Sequence, residues 1–225
     1  HRIGKEILAG TADQYRKLRN TFRYLLGALD GFGDAERVAH ADMPELERYI
    51  LHRLGELDAV LRQAVNDFDY NGYVRALTEF AQDDLSAFFF DIRKDCLYCD
   101  VGPADPLGTA KRRACRTVLD TLFHALVRYA APVLVFTTEE VWGTRYPDGG
   151  SVHLLEWPDV DGGHHDPVLG ERWAAIRAAR AAITEAIEPL RREKIVRSSL
   201  EAEIVMPAIA GVAAEEMAEI AIVSS

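Results

Sequence analysis

The sequence predicts a mainly α protein, an antiparallel helical bundle followed by a small α+β junction unit. Three observations carry that expectation. Apolar residues recur at three- and four-residue spacing through about the first 145 positions, the signature of amphipathic helices. Short breaker runs (GFGD, an Asn-Gly pair, GPADP) divide that stretch, and short turns join antiparallel neighbours. After Tyr146 the pattern changes, and SSLEAEIVM alternates with a period of two, as a strand does.

The first helix is expected from Lys5 to Leu29, with Tyr15, Leu18, Phe22, Leu25, Leu26 and Leu29 as its apolar stripe. Asp42 is placed as an N-cap and Pro44 at the start of the second helix, which runs towards Phe68 on Leu46, Ile50, Leu54, Leu57, Leu61 and Val65. Asn71 and Gly72 break it. The third helix spans Tyr73 to Tyr98, and the fourth starts near Leu107 and is broken or kinked by Pro132. SVHLLEWP reads as a short extended segment and DVDGGHHDP as a flexible linker. A long Ala/Arg helix from Val168 to Glu188, the SSLEAEIVM strand, a short helix from Ala213 to Ala218 and a closing strand in IAIVSS complete the chain. The expected division is 1–146 for the bundle, 147–166 for the extended segment and linker, and 167–225 for the junction subdomain. The first residue is His1 rather than Met, and the chain reads as a piece of a longer one.

Composition bounds the function. At 225 residues, 48% hydrophobic and 28% charged, the chain has the make-up of a soluble globular protein of one large core, or one plus a smaller one. No apolar run approaches the ~20 residues that span a bilayer, and nothing resembles a secretory signal. A net charge of −10 argues against indiscriminate affinity for nucleic acid but leaves room for a local basic patch. Three cysteines do not make a disulfide framework. Cys96 and Cys99 form one CxxC, whereas a structural zinc site needs four ligands. His164 and His165 could complete it but sit in a Gly-rich loop far along the chain, and on a helix the two cysteines share a face and more often pack than ligate.

No catalytic set is present: GxSxG, HExxH and GxxxxGK[ST] are absent, and GFGDAE follows a helix rather than a strand. Basic groups stand out instead. Arg16, Arg19 and Arg23 fall within an arc of about 60° beside the first apolar stripe, with Asn20 at the border. Arginines so spaced fork onto successive phosphates or base edges, or else pair with acids on neighbouring helices as an ordinary solvated face. Arg191, Arg192, Lys194 and Arg197 sit where the long helix ends, where cations also serve the helix dipole. Arg93 and Lys94 follow the Phe88–Phe90 run, and aromatics beside arginines either stack unpaired bases or form core. Lys111, Arg112, Arg113 and Arg116 read as a solvated face.

Against these residues a resemblance emerges. RIGKEILAGTADQYRKLRNTFRYLLGAL resembles the helix that follows the catalytic domain in isoleucyl-tRNA synthetases, and AFFFDIRKDCLYCD resembles that family's FDIRKDRLYCD signature, with Cys96 where the family often has Arg. ALVRYAAPVLVFTTEEVW, SVHLLEWP and RREKIVRSSLEAEI are similar to its later segments, so the likeness runs from Arg2 to Val205. It implies the helical anticodon-binding domain and start of the C-terminal junction of a bacterial-type class I synthetase. Such an enzyme attaches isoleucine to tRNA-Ile with ATP and Mg, carries its ATP-binding and editing parts upstream, and often has a zinc domain downstream. The fragment itself is expected to hold no cofactor and no activity. The implied partner is the anticodon stem-loop of tRNA-Ile, with no DNA or membrane partner, in a monomeric cytoplasmic enzyme. Valyl-, leucyl- and methionyl-tRNA synthetases share the bundle and stay open, as does a helical protein-interaction module without RNA.

Overall fold

The computed structural model describes residues 4–99, 108–198, 201–202, 204–206 and 212–223. The chain divides into two compact units, His1–His165 and Asp166–Ser225.

In the first unit α1 spans Lys5–Ala28 and buries Leu18, Thr21, Phe22, Leu25 and Ala28 on one side. Tyr15 stays largely exposed, its hydroxyl 3.1 Å from that of Thr137. Helix α2 is Glu45–Asn66. Asp42 does not cap it: that residue closes a 3₁₀ turn, and Pro44 stands at the N-cap, its carbonyl accepting from Arg48 N at 3.2 Å. The break after α2 falls at Asp67–Asp69, not at Asn71-Gly72. Phe68 takes a left-handed φ of 56°, and the Asp69 carboxylate accepts from Gly72 N at 2.9 Å, so the Asn-Gly pair lies in the first turn of α3, Tyr70–Glu79. The capping carboxylate takes up the Gly72 backbone donor, and the Asn-Gly pair is held in the helix rather than in a loop.

The run continues without a break through a π-helical stretch, Phe80–Phe89, into α4, Phe90–Cys99. The wider winding shows in Ser86 Oγ donating to Ala81 O, five residues back, at 2.9 Å. It brings Phe88, Phe89 and Phe90 all into the core. Helix α5, Ala110–Ala130, starts at a Thr109 cap and ends ahead of Pro132, and α6 is Val135–Arg145. Leu25, Ile50, Leu54, Leu61, Leu77, Leu85, Phe89, Leu119, Phe123 and Tyr129 are fully buried where these helices meet.

The 151–158 segment is not extended throughout: Val152–Leu154 forms a 3₁₀ turn held by Glu139, whose carboxylate accepts from Ser151 Oγ and Val152 N at 2.9 and 3.0 Å. Asp58 of α2 then accepts from Trp157 Nε1, Tyr129 Oη and Arg62 Nε at 2.6–2.7 Å. The Gly/His stretch expected as a flexible linker lies against the bundle, with His164 stacked on His40 at 4.5 Å between ring centroids.

In the second unit α7 is Pro167–Arg192, capped by Asp166 and continuing past Pro189. Lys194, at φ 59°, stops it in the left-handed position usually given to glycine, and Ile195 N closes back on Leu190 O at 2.9 Å. Among the described residues there is no strand. Around Ser198–Glu201 the donors of the expected strand are spent locally: Glu201 N bonds Ser198 O, and Arg197 N bonds the Glu201 carboxylate. Positions 199, 200, 203 and 207 lie outside the described residues. Ile220 and Ala221, expected in a closing strand, belong to helix α8, Ala214–Ala221. The fold is therefore mainly helical throughout the described residues, and none of its helices is long and apolar enough to cross a membrane.

Candidate nucleic-acid interface

The structure sorts the basic residues by whether an acid meets them. On α1 the buried face turns Arg16, Arg19, Asn20 and Arg23 outward, and all four are exposed. Arg16 reaches Asp13 at 3.4 Å, one turn back, and shares it with Lys17 at 3.0 Å. That pair is wide open to water, where an ion pair contributes little. Arg19 and Arg23 form no ion pair among the described residues. Two guanidiniums thus stand on one helix, one residue before and three residues after Asn20, with five donors each and no paired acid among the described residues.

At the end of α7 an open cleft of about 560 Å³ is lined by Glu188, Arg191, Arg192, Lys194, Val196 and Arg197. Arg191 pairs with Glu188 at 3.0 Å. Arg192, Lys194 and Arg197 are exposed and have no ion pair among the described residues. The left-handed turn at Lys194 reverses the chain, which is what puts Arg197 on the same cleft as Arg191. Three of its four cations are left without a paired acid, so the cleft suits an anionic group such as a phosphate.

Arg93 does not belong with these. Its Nε and Nη2 donate to the two carboxylate oxygens of Glu47 at 2.6 and 2.7 Å, and both side chains are buried, at 6% and 0% exposure. A guanidinium so enclosed cannot reach a nucleic acid; it ties α4 to α2. Lys94 next to it is exposed and pairs with Asp91 at 3.0 Å. The Phe88–Phe90 rings are core, Phe90 stacking on Tyr24 at 4.0 Å, so they present no face to a base.

The α5 group is not a solvated face either. Arg116 is buried, donating to Glu36 at 2.7 Å and to the carbonyls of Ala28 and Asp30 at 3.1 and 2.6 Å. Arg112 donates to Leu97 O at 3.1 Å. Sequence reasoning missed the acids that capture these cations. The signal was present: Glu47 lies among Leu46, Tyr49 and Ile50, and Asp120 among Val118, Leu119 and Leu122, apolar-face positions where an acid needs a cation. Asp120 takes Arg37 at 2.7 Å and Arg145. Nor do His164 and His165 join Cys96 and Cys99: they lie against His40 and His52. Among the described residues no three His, Cys, Asp or Glu side chains converge as metal ligands.

The bundle thus pairs Arg93 and Arg116 with buried acids and leaves Arg19 and Arg23 exposed on its surface. Residues 47–206 match the family described as anticodon-binding domain of tRNA ligase, and the chain belongs to that family. Helix α1 precedes the matched residues. Over 212 residues, 94% of its length, the chain is 66% identical to the isoleucine–tRNA ligase of Zymomonas mobilis, covering 22% of that protein. It is 51% identical over 206 residues to the isoleucine–tRNA ligase of Gluconobacter oxydans, and 46% identical over 229 residues to that of Agrobacterium fabrum. The chain spans about a fifth of the length of these relatives.

Proposed function

We propose that the chain is the anticodon-reading part of an isoleucine–tRNA ligase and that its partner is the anticodon stem-loop of tRNA-Ile. The observation that carries this is the pair Arg19 and Arg23, exposed and without a paired acid on a rigid helix, in a member of an anticodon-binding family. An anticodon loop offers unstacked bases and a curved line of phosphates. In this reading Arg19, Arg23 and Asn20 meet the loop from α1, Arg16 joins them by leaving its solvated pair with Asp13, and Lys94 adds a peripheral charge. The cleft at the end of α7 holds Arg191, Arg192, Lys194 and Arg197 for backbone phosphates, which position rather than specify. Reading a distant part of the tRNA adds selectivity that an isoleucine pocket lacks, since one methylene is worth only about 1–3 kcal/mol.

Activation of isoleucine with ATP and Mg belongs, on this proposal, to parts of the enzyme outside these residues, and the chain alone exchanges no pyrophosphate. The test is binding of the full-length protein to tRNA-Ile and to a copy with a mutated anticodon, over a salt series. Cognate tRNA should bind more tightly, and both affinities should fall steeply with salt through counterion release. Equal affinity for the two tRNAs would refute anticodon reading, and a flat salt response would point to apolar docking of a protein instead.

A further inference from the structure

Helices α4 and α5 bring together two cysteines that the proposed RNA interface does not use. Cys96 is half-buried on α4, and Cys115 is fully buried on α5. Their thiols are hydrogen-bonded to one another, and both lie close to the Tyr24 phenol, whose buried hydroxyl has no hydrogen-bond partner. Cys99 is exposed, one turn beyond Cys96. All three are reduced thiols in this structure.

We infer that Cys96 and Cys115 are a redox-sensitive pair that a hydroperoxide converts to a disulfide joining α4 to α5. The two thiols are within hydrogen-bonding reach, and they sit on helices packed against each other, so closure calls for movement of side chains rather than a rearrangement of the bundle. A Cys96–Cys99 bridge would link consecutive turns of one helix and hold nothing together. Burial, reinforced by the neighbouring Cys96 thiol, pushes the Cys115 thiol well above the ordinary range, so reaction starts at the more accessible Cys96.

The chemistry balances with the peroxide as sole oxidant. Cys96 sulfur attacks the O–O bond, gives up its proton and becomes a sulfenic acid as the leaving oxygen departs protonated. Cys115 sulfur then attacks the sulfenic sulfur, its proton leaving with the hydroxide as water, and the S–S bond forms. Two thiols are oxidised and one peroxide is reduced. A dithiol reductant reverses the cross-link by exchange.

The test is graded hydrogen peroxide on the full-length protein, alkylation of remaining thiols and peptide mapping without reduction. The expected product joins the Cys96 and Cys115 peptides, two hydrogens lighter than their sum, and disappears with dithiothreitol. In Cys115→Ser the Cys96 sulfenic acid should accumulate and be trapped by dimedone. In Cys96→Ser, Cys115 should stay unmodified at the dose that cross-links the parent. A Cys96–Cys99 bridge, an intermolecular bridge through Cys99, or oxidation confined to Cys99 would each overturn the inference. So would oxidation of Cys115 in Cys96→Ser at the same dose.

Discussion

Arg93 and Arg19 lie in the same bundle and have opposite fates. Arg93 is enclosed with Glu47 by two charge-assisted hydrogen bonds between α4 and α2. Arg19 stands in solvent on α1 with no acid beside it. The residue type is identical; what differs is whether the facing helix carries a buried acid. An arginine met by such an acid holds the fold, and one left unmet is available to a polyanion. The same division separates Arg116, seated on Glu36, from Arg192 and Lys194 in the α7 cleft.

The largest effect that would sharpen this contrast is on stability. Glu47→Ala removes the buried carboxylate that takes the Nε and Nη2 donors of Arg93 and should cost about 3–5 kcal/mol, read by chemical denaturation. A loss below about 1 kcal/mol would mean that Arg93 finds water, and the contrast would weaken. Next comes Arg19→Ala in the full-length enzyme. It should weaken tRNA aminoacylation by about 1–3 kcal/mol in kcat/KM and leave isoleucine activation nearly unchanged if, as proposed, Arg19 contacts RNA alone. Equal loss of both activities would return Arg19 to the structural class.

The α7 cleft should show a smaller effect. Arg192→Ala with Lys194→Ala should flatten the dependence of log affinity on log salt by about one unit per lost phosphate contact. Cognate and anticodon-mutated tRNA should weaken by similar factors. An unchanged slope in a folded variant would mean that these cations serve only the helix end.

The smallest effect is a pH response within the bundle. Burial, with Arg145, Arg128 and Arg37 nearby, lowers the His124 pKa against the pull of Asp120. The folded state therefore binds the proton less readily than the unfolded chain, whose histidine titrates near 6.5. His124 contributes stability that is complete above that value and is lost as pH falls through the folded pKa. His124→Gln should accordingly flatten the decline in unfolding free energy below about pH 6.5, and an unaltered decline would remove His124 from the account.

Much of the bundle was legible because periodicity reports burial: Leu18, Phe22 and Leu25, and Leu46, Ile50, Leu54 and Leu61, are all core as spaced. What failed was set by contacts that apolar spacing does not report, some local and some distant in sequence. The Asp69 cap moved the α2–α3 break ahead of Asn71 and Gly72, and local hydrogen bonds around Glu201 took up donors of the expected strand. The basic groups were visible as groups, but nothing local to Arg93 or Arg116 shows that Glu47 and Glu36 come to meet them, 46 and 80 residues away. Where the facing element brings no acid, as for Arg19 and Arg23, the local pattern and the structure agree on exposure.

The central claim is that the unmet α1 arginines bind tRNA while the met ones hold the bundle. Its most direct test is the salt dependence of tRNA-Ile binding by full-length protein carrying Arg19→Ala and Arg23→Ala together, with unfolding measured on the same samples. The account predicts a log–log slope shallower by about one to two units, weaker binding, and stability within about 0.5 kcal/mol of the parent. Parental slope and affinity in a folded variant, or binding lost only in step with stability, would contradict it.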